Sequence, residues 1–554
     1  IGDNHRIFTF FQDDWKVRPN LTLNLGIRYE YQGLFRDAAL QATAAPANVP
    51  GVIEFGVPQT DKNNWAPRIG FAWAPNFKGS VGRFIFGEAG ESSIRGNFSR
   101  SFFANFTNLV SISLPPTLQG ELQFTGSPTN FLQNGGAAND PFVPDLSPEF
   151  LRANAGSFIL DQIVPYTDAI AFSFQRQLGS DNALEIRYLR TRSKQMPVQV
   201  QLNGGQTPDS ALVIPTFLTT PTAGDVAGLP TIDQVLANNP TVGVQPLAEF
   251  GFEGVLTGFP AIGKSNYDAV SASLTRRFAK NFGFTAAYTF SKTTDNSTNE
   301  LNTSALNPRR PQDAGNFFSA EGLNVDTEWG PSPLDIPHRF VASFNYDLAF
   351  FDNSSNAFVK ALLGGFSLNG VFQVQSGQPI TIRSGRDSNF NGDAAGDRAL
   401  FNAAGDPLLS SGIYAVNSAG VRIVDENGVD VLDSGDTVAW VAINPNAAWI
   451  STGFLAEELA NNGAGTSTRN AFRTNGFNQT DMVILKNTRF GPDSRFNFQV
   501  GAEILDLFNQ RQKTLTGVGA QTGAFGIAGN ASFNNYELGT YTGRKITLRA
   551  KFIF

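Results

Sequence analysis

The chain has 554 residues with a formal net charge of −7, no cysteine, 55 glycines, 50 phenylalanines and only 16% charged residues. Absence of cysteine excludes disulfides, thiolate catalysis and cysteine-ligated zinc, and the acidic balance argues against nucleic acid as a partner. No window approaches the roughly 20 apolar residues of a transmembrane helix, so the one membrane-crossing form open to this chain is a closed β-barrel, which satisfies every backbone group in lipid.

Alternation with period two begins near the amino terminus and recurs to the end. Leu21, Leu23, Leu25, Ile27, Tyr29 and Tyr31 alternate with Thr22, Asn24, Gly26, Arg28 and Glu30. Phe282, Phe284, Ala286, Tyr288 and Phe290 do so next, followed by Phe340, Ala342, Phe344, Tyr346 and Leu348, and by Phe496, Phe498, Val500, Ala502 and Ile504. The last strand sets Ile546, Leu548, Ala550, Phe552 and Phe554 against Lys545, Thr547, Arg549 and Lys551. Successive side chains of a strand point to opposite faces. Each segment therefore has one lipid-compatible face and one small, polar or charged face suited to a wet lumen. Each also matches the roughly 9–11 residues of a tilted membrane strand.

The connections alternate in length. Those at 17–20, 179–182, 279–281 and 491–494 are tight and rich in Pro, Gly, Asn and Asp. Those at 75–92 and 351–362 are somewhat longer. Between the hairpins run polar stretches at 35–64, 103–166, 192–266, 292–337, 384–479 and 509–542. Short periplasmic turns and long extracellular loops are the habit of outer-membrane barrels. Within the long stretches, 147–153 and 231–237 each predict a short helix behind a Ser or Thr N-cap.

The predicted fold is all-β: an antiparallel transmembrane β-barrel, partial, with about 13 strands and long extracellular loops. Complete single-chain barrels have even strand counts, so an odd count predicts a missing part with an odd number of strands. A plugged barrel of about 22 strands would leave about nine. The chain starts at Ile1 in a strand-like segment, and we read it as a portion whose amino-terminal part is missing.

Several motifs carry a family resemblance. The run from Phe8 to Glu30, FTFFQDDWKVRPNLTLNLGIRYE, resembles a barrel hairpin of TonB-dependent outer-membrane receptors. The run from Asn64 to Trp73, NWAPRIGFAW, resembles the strand that follows. Tyr288–Lys292, Asp335–Phe340, Gln375–Pro379 and Glu503–Asn509 are similar to signatures of the Oar-like branch. The resemblance spans nearly the whole chain, residues 1–554, as the carboxy-terminal barrel portion of such a receptor; no TonB box, plug or amino-terminal regulatory-like domain is seen. It implies a bacterial outer-membrane location and transport of a large solute. The implied partners are outer-membrane lipid, the barrel assembly machinery, TonB through the missing part, and an unidentified ligand. The alternative is a passive porin or adhesin-type barrel that binds ligands through its loops.

Candidate sites are few. The terminal aromatics Phe552 and Phe554 resemble a membrane insertion signal. Lumen-facing candidates are Arg28, Glu30, Arg187, Arg495, Glu503, Arg549 and Lys551. Asp387, Asn389, Asn391 and Asp393 occupy positions one, three, five and seven of a run with Gly392 at position six, oxygen donors at a spacing that suits calcium. The closing position of that 387–398 loop is Arg398 rather than a glutamate, so an Asx-rich surface turn is the competing reading. His5 and His338 are too far apart in sequence to make a pair, and His338 reads as a strand start at the membrane rim. Loop aromatics Phe103, Phe106, Phe317 and Phe318 read as loop packing before sugar stacking. No hydrolase elbow, phosphate loop or zinc-protease motif is present, and no catalytic role is expected.

Overall fold

A computed structural model describes residues 5–34, 38–103, 145–205, 214–254, 256–297, 317, 322–351, 354–392, 397–454, 468–491, 495–510 and 543–554. Its framework is one antiparallel sheet of 13 strands in sequence order. These are β1 (Arg6–Arg18), β2 (Leu21–Gln32), β3 (Trp65–Trp73), β4 (Ser92–Phe102), β5 (Tyr166–Leu178), β6 (Asn182–Met196) and β7 (Gly263–Ala279). They continue as β8 (Phe282–Asp295), β9 (His338–Leu348), β10 (Phe366–Gln375), β11 (Phe477–Phe490), β12 (Phe496–Leu505) and β13 (Lys545–Ile553). Each strand pairs with its chain neighbours, and β1 and β13 form the two edges.

The register makes the alternation a property of the whole sheet. Leu25 lies opposite Ile69, Ile69 opposite Phe98, and Phe98 opposite Ile170. Further on, Phe172 faces Tyr188, Tyr188 faces Val270, and Phe284 faces Phe344. At the far edge Phe498 faces Phe552. A slip of one residue would turn a strand's apolar set to the wrong side, and the register shifts that occur are confined to strand ends, at Lys16/Arg18, Gly263/Ser265 and Arg276/Ala279. Two tight cross-strand fits help to hold the register. Gly96 sits opposite Phe71 and Gly370 opposite Phe344, and a Cβ on either glycine would run into the facing ring. The aromatic ring covers the bare backbone.

The core, however, is not in the sheet. Among the described residues, the buried apolar ones that belong to the 13 strands are Ala66 and Ala269. The rest lie in the long connections, all of which leave from one end of the sheet. Ala44, Ile53 and Phe55 from the β2–β3 connection pack with Leu151 from β4–β5, with Leu202, Phe252 and Leu256 from β6–β7, and with Val325 from β8–β9. A second cluster joins Ile214, Ile232 and Val235 to Leu400, Ile413, Trp440 and Ile450 of the β10–β11 connection.

Both expected loop helices form. Helix α2 (Pro148–Ala153) starts behind Ser147, whose hydroxyl accepts from the Phe150 amide, and α3 (Ile232–Asn238) starts at a complete capping box of Thr231 and Gln234. Arg152 of α2 donates to the carbonyls of Ala47, Asn48 and Phe250, tying three connections together. We call this assembly the cap. At the opposite end the turns are tight, apart from two that carry short helices, α1 (Ser80–Phe86) and α4 (Ala357–Leu363).

Candidate functional site

Two regions concentrate polar chemistry: the polar face of the sheet, and the seam between the cap's connections. On the polar face Arg28 pairs with Glu30 at 3.0 Å, two residues along β2, and stands 4.9 Å from the Phe8 ring centroid. Arg187 pairs with Glu185 at 2.9 Å, again within one strand. Arg549 of β13 bonds Glu503 of β12 across the strand pair. Lys551 stands opposite Gln499, whose amide donates to Asn487 at 3.0 Å. Arg495 immediately precedes β12 and stands 5.8 Å from the Phe496 ring. The structure therefore does not gather the lumen candidates into one cluster. Arg28, Arg187 and Arg549 each have a carboxylate close by. Toward the short-turn end the polar face holds a cavity of about 440 Å³ lined by Ser93, Arg95, Gln175, Gln177, Asp181 and Arg277, among others.

The seam of the cap was not legible in sequence. Asp295, at the end of β8, pairs with Arg469 of the β10–β11 connection. The Arg469 Nε also donates to the Glu328 carbonyl at 2.9 Å, and the Glu328 carboxylate bonds Arg398. All four side chains are at most 10% exposed. Burial pushes the Arg398 guanidinium below its ordinary value, and the Glu328 charge opposes that shift. Nearby, Arg473 bonds Asp335 at 2.6 Å. Buried charges need partners because desolvation costs several kcal/mol per ion. These partners come from connections 70 to 174 residues apart in sequence. No local motif could announce them.

Residues 387–392 form a closed turn. Asp387 Oδ2 accepts from the Gly392 amide at 3.0 Å, and Asn389 Oδ1 accepts from the Asn391 amide at 3.1 Å. Gly392 takes φ 91°, a conformation natural to glycine. Asp393 lies outside the described residues. Arg398, in the closing position, is committed to Glu328. Among the described residues, no group of three or more His, Asp or Glu side chains is placed to hold a metal. His338 opens β9, as expected of a strand start, with its Nδ1 2.7 Å from the Tyr288 hydroxyl. Phe317 packs beside Phe158 against the cap core, and Phe103 is exposed, whereas Phe106 and Phe318 lie outside the described residues.

At the short-turn end of the apolar face, Phe552 is the hub of an aromatic cluster. Its ring lies 6.0 Å from Phe490, 5.9 Å from Phe496 and 6.3 Å from Phe554. The terminal residue itself is 86% exposed.

Comparison with known proteins fits this architecture. A family model described as outer membrane beta barrel domain matches residues 2–546. None of the curated proteins compared matches the chain. Among solved structures, the outer membrane transporter YddB from Escherichia coli is similar over 99% of this chain and 45% of its own, at 10% identity and a TM-score of 0.42. A mutant of the ferric enterobactin receptor PfeA from Pseudomonas aeruginosa is similar over 99% and 45%, at 9% identity and 0.40. The ferripyoverdine receptor from the same organism is similar over 92% and 35%, at 8% identity and 0.35. The chain thus spans less than half the length of each of these structures.

Proposed function

The chain belongs to the outer membrane β-barrel domain family, and we propose that it serves in the bacterial outer membrane as the barrel of a TonB-dependent receptor moving a large solute. Within that family the apolar face of the sheet is the lipid face and the polar face looks toward the lumen. The observation that carries the proposal is the cap. Connections from five successive hairpins share buried cores and a buried ion-pair seam on the side where long loops emerge. A passive pore has little use for such an investment in ordered loop structure, whereas a receptor needs an organised outer surface to select its ligand. The motifs around Asp335–Phe340 and Glu503–Asn509 support the Oar-like branch. Coupling to TonB falls, in this reading, to parts of the full protein other than these 13 strands. Assembly machinery would recognise the terminal aromatics. Calcium in the 387–398 loop belongs to the same proposal, supported by the closed turn around Gly392.

The test is uptake by cells carrying the full protein, with and without TonB, together with conductance of the purified protein in planar bilayers. Receptor behaviour is a growth or uptake phenotype that disappears without TonB. A steady conductance and a phenotype indifferent to TonB would replace this reading with the passive barrel.

A further inference from the structure

The helices in the two longer turns are not simple connectors. Helix α1 lies against the outside of the sheet. Phe86, its last residue, packs edge-on against Phe174 at 5.8 Å, and Phe174 belongs to the apolar face of β5. Phe77, just before the helix, packs on Trp73 of the same face at 5.9 Å and on Phe86 at 5.0 Å. Arg176, also on that face, reaches round to donate to the carbonyls of Phe84 and Ile85.

This location corresponds to one edge of the apolar band. On β5 the lipid-face run Ile170–Phe172–Phe174 is bounded by Asp168 at the cap end and by Arg176 at the turn end. Eight residues at about 3.4 Å each cover roughly 27 Å along the strand, or roughly 21 Å along the membrane normal at a tilt of about 40°, somewhat less than the roughly 25 Å apolar belt of outer-membrane barrels. Helix α1 thus sits where hydrocarbon gives way to headgroups.

Its outward side is apolar. Val81, Phe84 and Ile85, at the i, i+3, i+4 spacing of one helix face, are 71%, 80% and 45% exposed. Lys78 and Arg83 are exposed beside them. The second longer turn repeats the pattern at the same end of the sheet. Phe350 is 74% exposed, and Phe358 and Leu362 of α4, one helical turn apart, are 73% and 56% exposed beside the exposed Lys360.

We propose that α1 and α4 are membrane feet: short helices that lie in the periplasmic phospholipid leaflet, inserting Val81, Phe84, Ile85, Phe358 and Leu362 among acyl chains. Continuity with the lipid face selects lipid as the occupant. The helix is bolted to Trp73 and Phe174, both already facing hydrocarbon, so its outer side meets the same medium one step nearer the interface. Lys78, Arg83 and Lys360 then stand at headgroup level, where long basic side chains keep their charge wet while their stems lie along apolar surface.

These 554 residues contain no cysteine, so an introduced one is unique among them. Single variants Phe84→Cys, Val81→Cys and Phe358→Cys, spin-labelled and reconstituted as the full chain in phosphatidylglycerol–phosphatidylcholine bilayers, are compared with two references. Phe172→Cys reports the lipid face, and Val421→Cys, on an exposed cap hairpin, reports water. The feet predict that labels at 84, 81 and 358 collide with oxygen several-fold more than with a water-soluble nickel complex, as at 172, but at shallower depth. A nickel preference like that at 421, or shielding from both reagents, overturns the proposal. Heat-modifiable gel migration of each variant establishes that it has folded before it is scored.

Discussion

Arg469 and Asp295, 174 residues apart in sequence, form a buried ion pair whose two side chains are each 6% exposed. The pair bolts the longest connection of the cap to the end of β8. Removing one partner strands the other charge away from water, which costs about 3–5 kcal/mol. Arg469→Ala should therefore loosen the cap while the sheet stays intact, seen as faster amide exchange confined to the loops. The double variant Arg469→Met with Asp295→Leu should recover much of the loss. Unchanged exchange in the single variant would mean that the seam does not hold the cap.

Gly96 is covered by Phe71. A methyl group at Gly96 would come within 2.5 Å of the ring, so Gly96→Ala must displace it, and we expect a loss of about 1–3 kcal/mol. Phe71→Leu relieves the clash, so the double variant should lose less than the two single losses added together. Unfolding of the reconstituted protein in urea measures this, and strict additivity would show that the two sites are independent.

The exposed cap hairpin has an acid limit. Arg422 clasps Asp430 through two bonds of 2.5 and 2.6 Å and stands over the Tyr414 ring. The bond from Arg422 holds the Asp430 carboxyl below its ordinary value, and the Val429 amide does the same for Asp425. A depressed folded value stabilises above the unfolded pKa of about 4 and is lost as pH falls through the folded value. Protease resistance of residues 414–431 should be flat from neutral pH down to about 4 and fall below it. Arg422→Gln should reduce that acid-dependent loss, and an identical profile in both proteins would assign the effect elsewhere.

Deleting Phe554 trims the aromatic cluster centred on Phe552. We expect the truncated full-length protein to reach the folded, heat-modifiable form at least several-fold less in cells, while refolding from urea into detergent changes little. Efficient assembly in cells would rule out the insertion signal.

Calcium in the 387–398 loop would make cap stability sensitive to chelation. The expected outcome is faster loop proteolysis in chelator, restored by added calcium and absent in Asp387→Ala. No response to chelator would sink the site.

Much of the sheet was legible because period-two alternation is written residue by residue. The strand from Lys545 to Ile553 announces both faces without reference to any partner, and tight turns such as 179–182 announce which strands are neighbours. The two loop helices were legible for the same local reason, since Ser147 and Thr231 cap amides three residues away. The lumen candidates were only half legible. Parity placed Arg28, Arg187 and Arg549 on the polar face, but the pairing of Arg549 with Glu503 depends on register between strands that lie more than 40 residues apart.

By itself, then, the sequence determined the strands, their two faces and the alternation of short and long connections, because each rests on interactions within a few residues of the chain. Only the tertiary structure decided that the buried core lies in the cap, that Asp295, Glu328, Arg398 and Arg469 share one buried seam, and that α1 lies along the lipid face. Those features depend on which distant segments meet. A buried arginine reads in sequence like an exposed one, and a loop phenylalanine reads the same whether it faces protein, water or lipid.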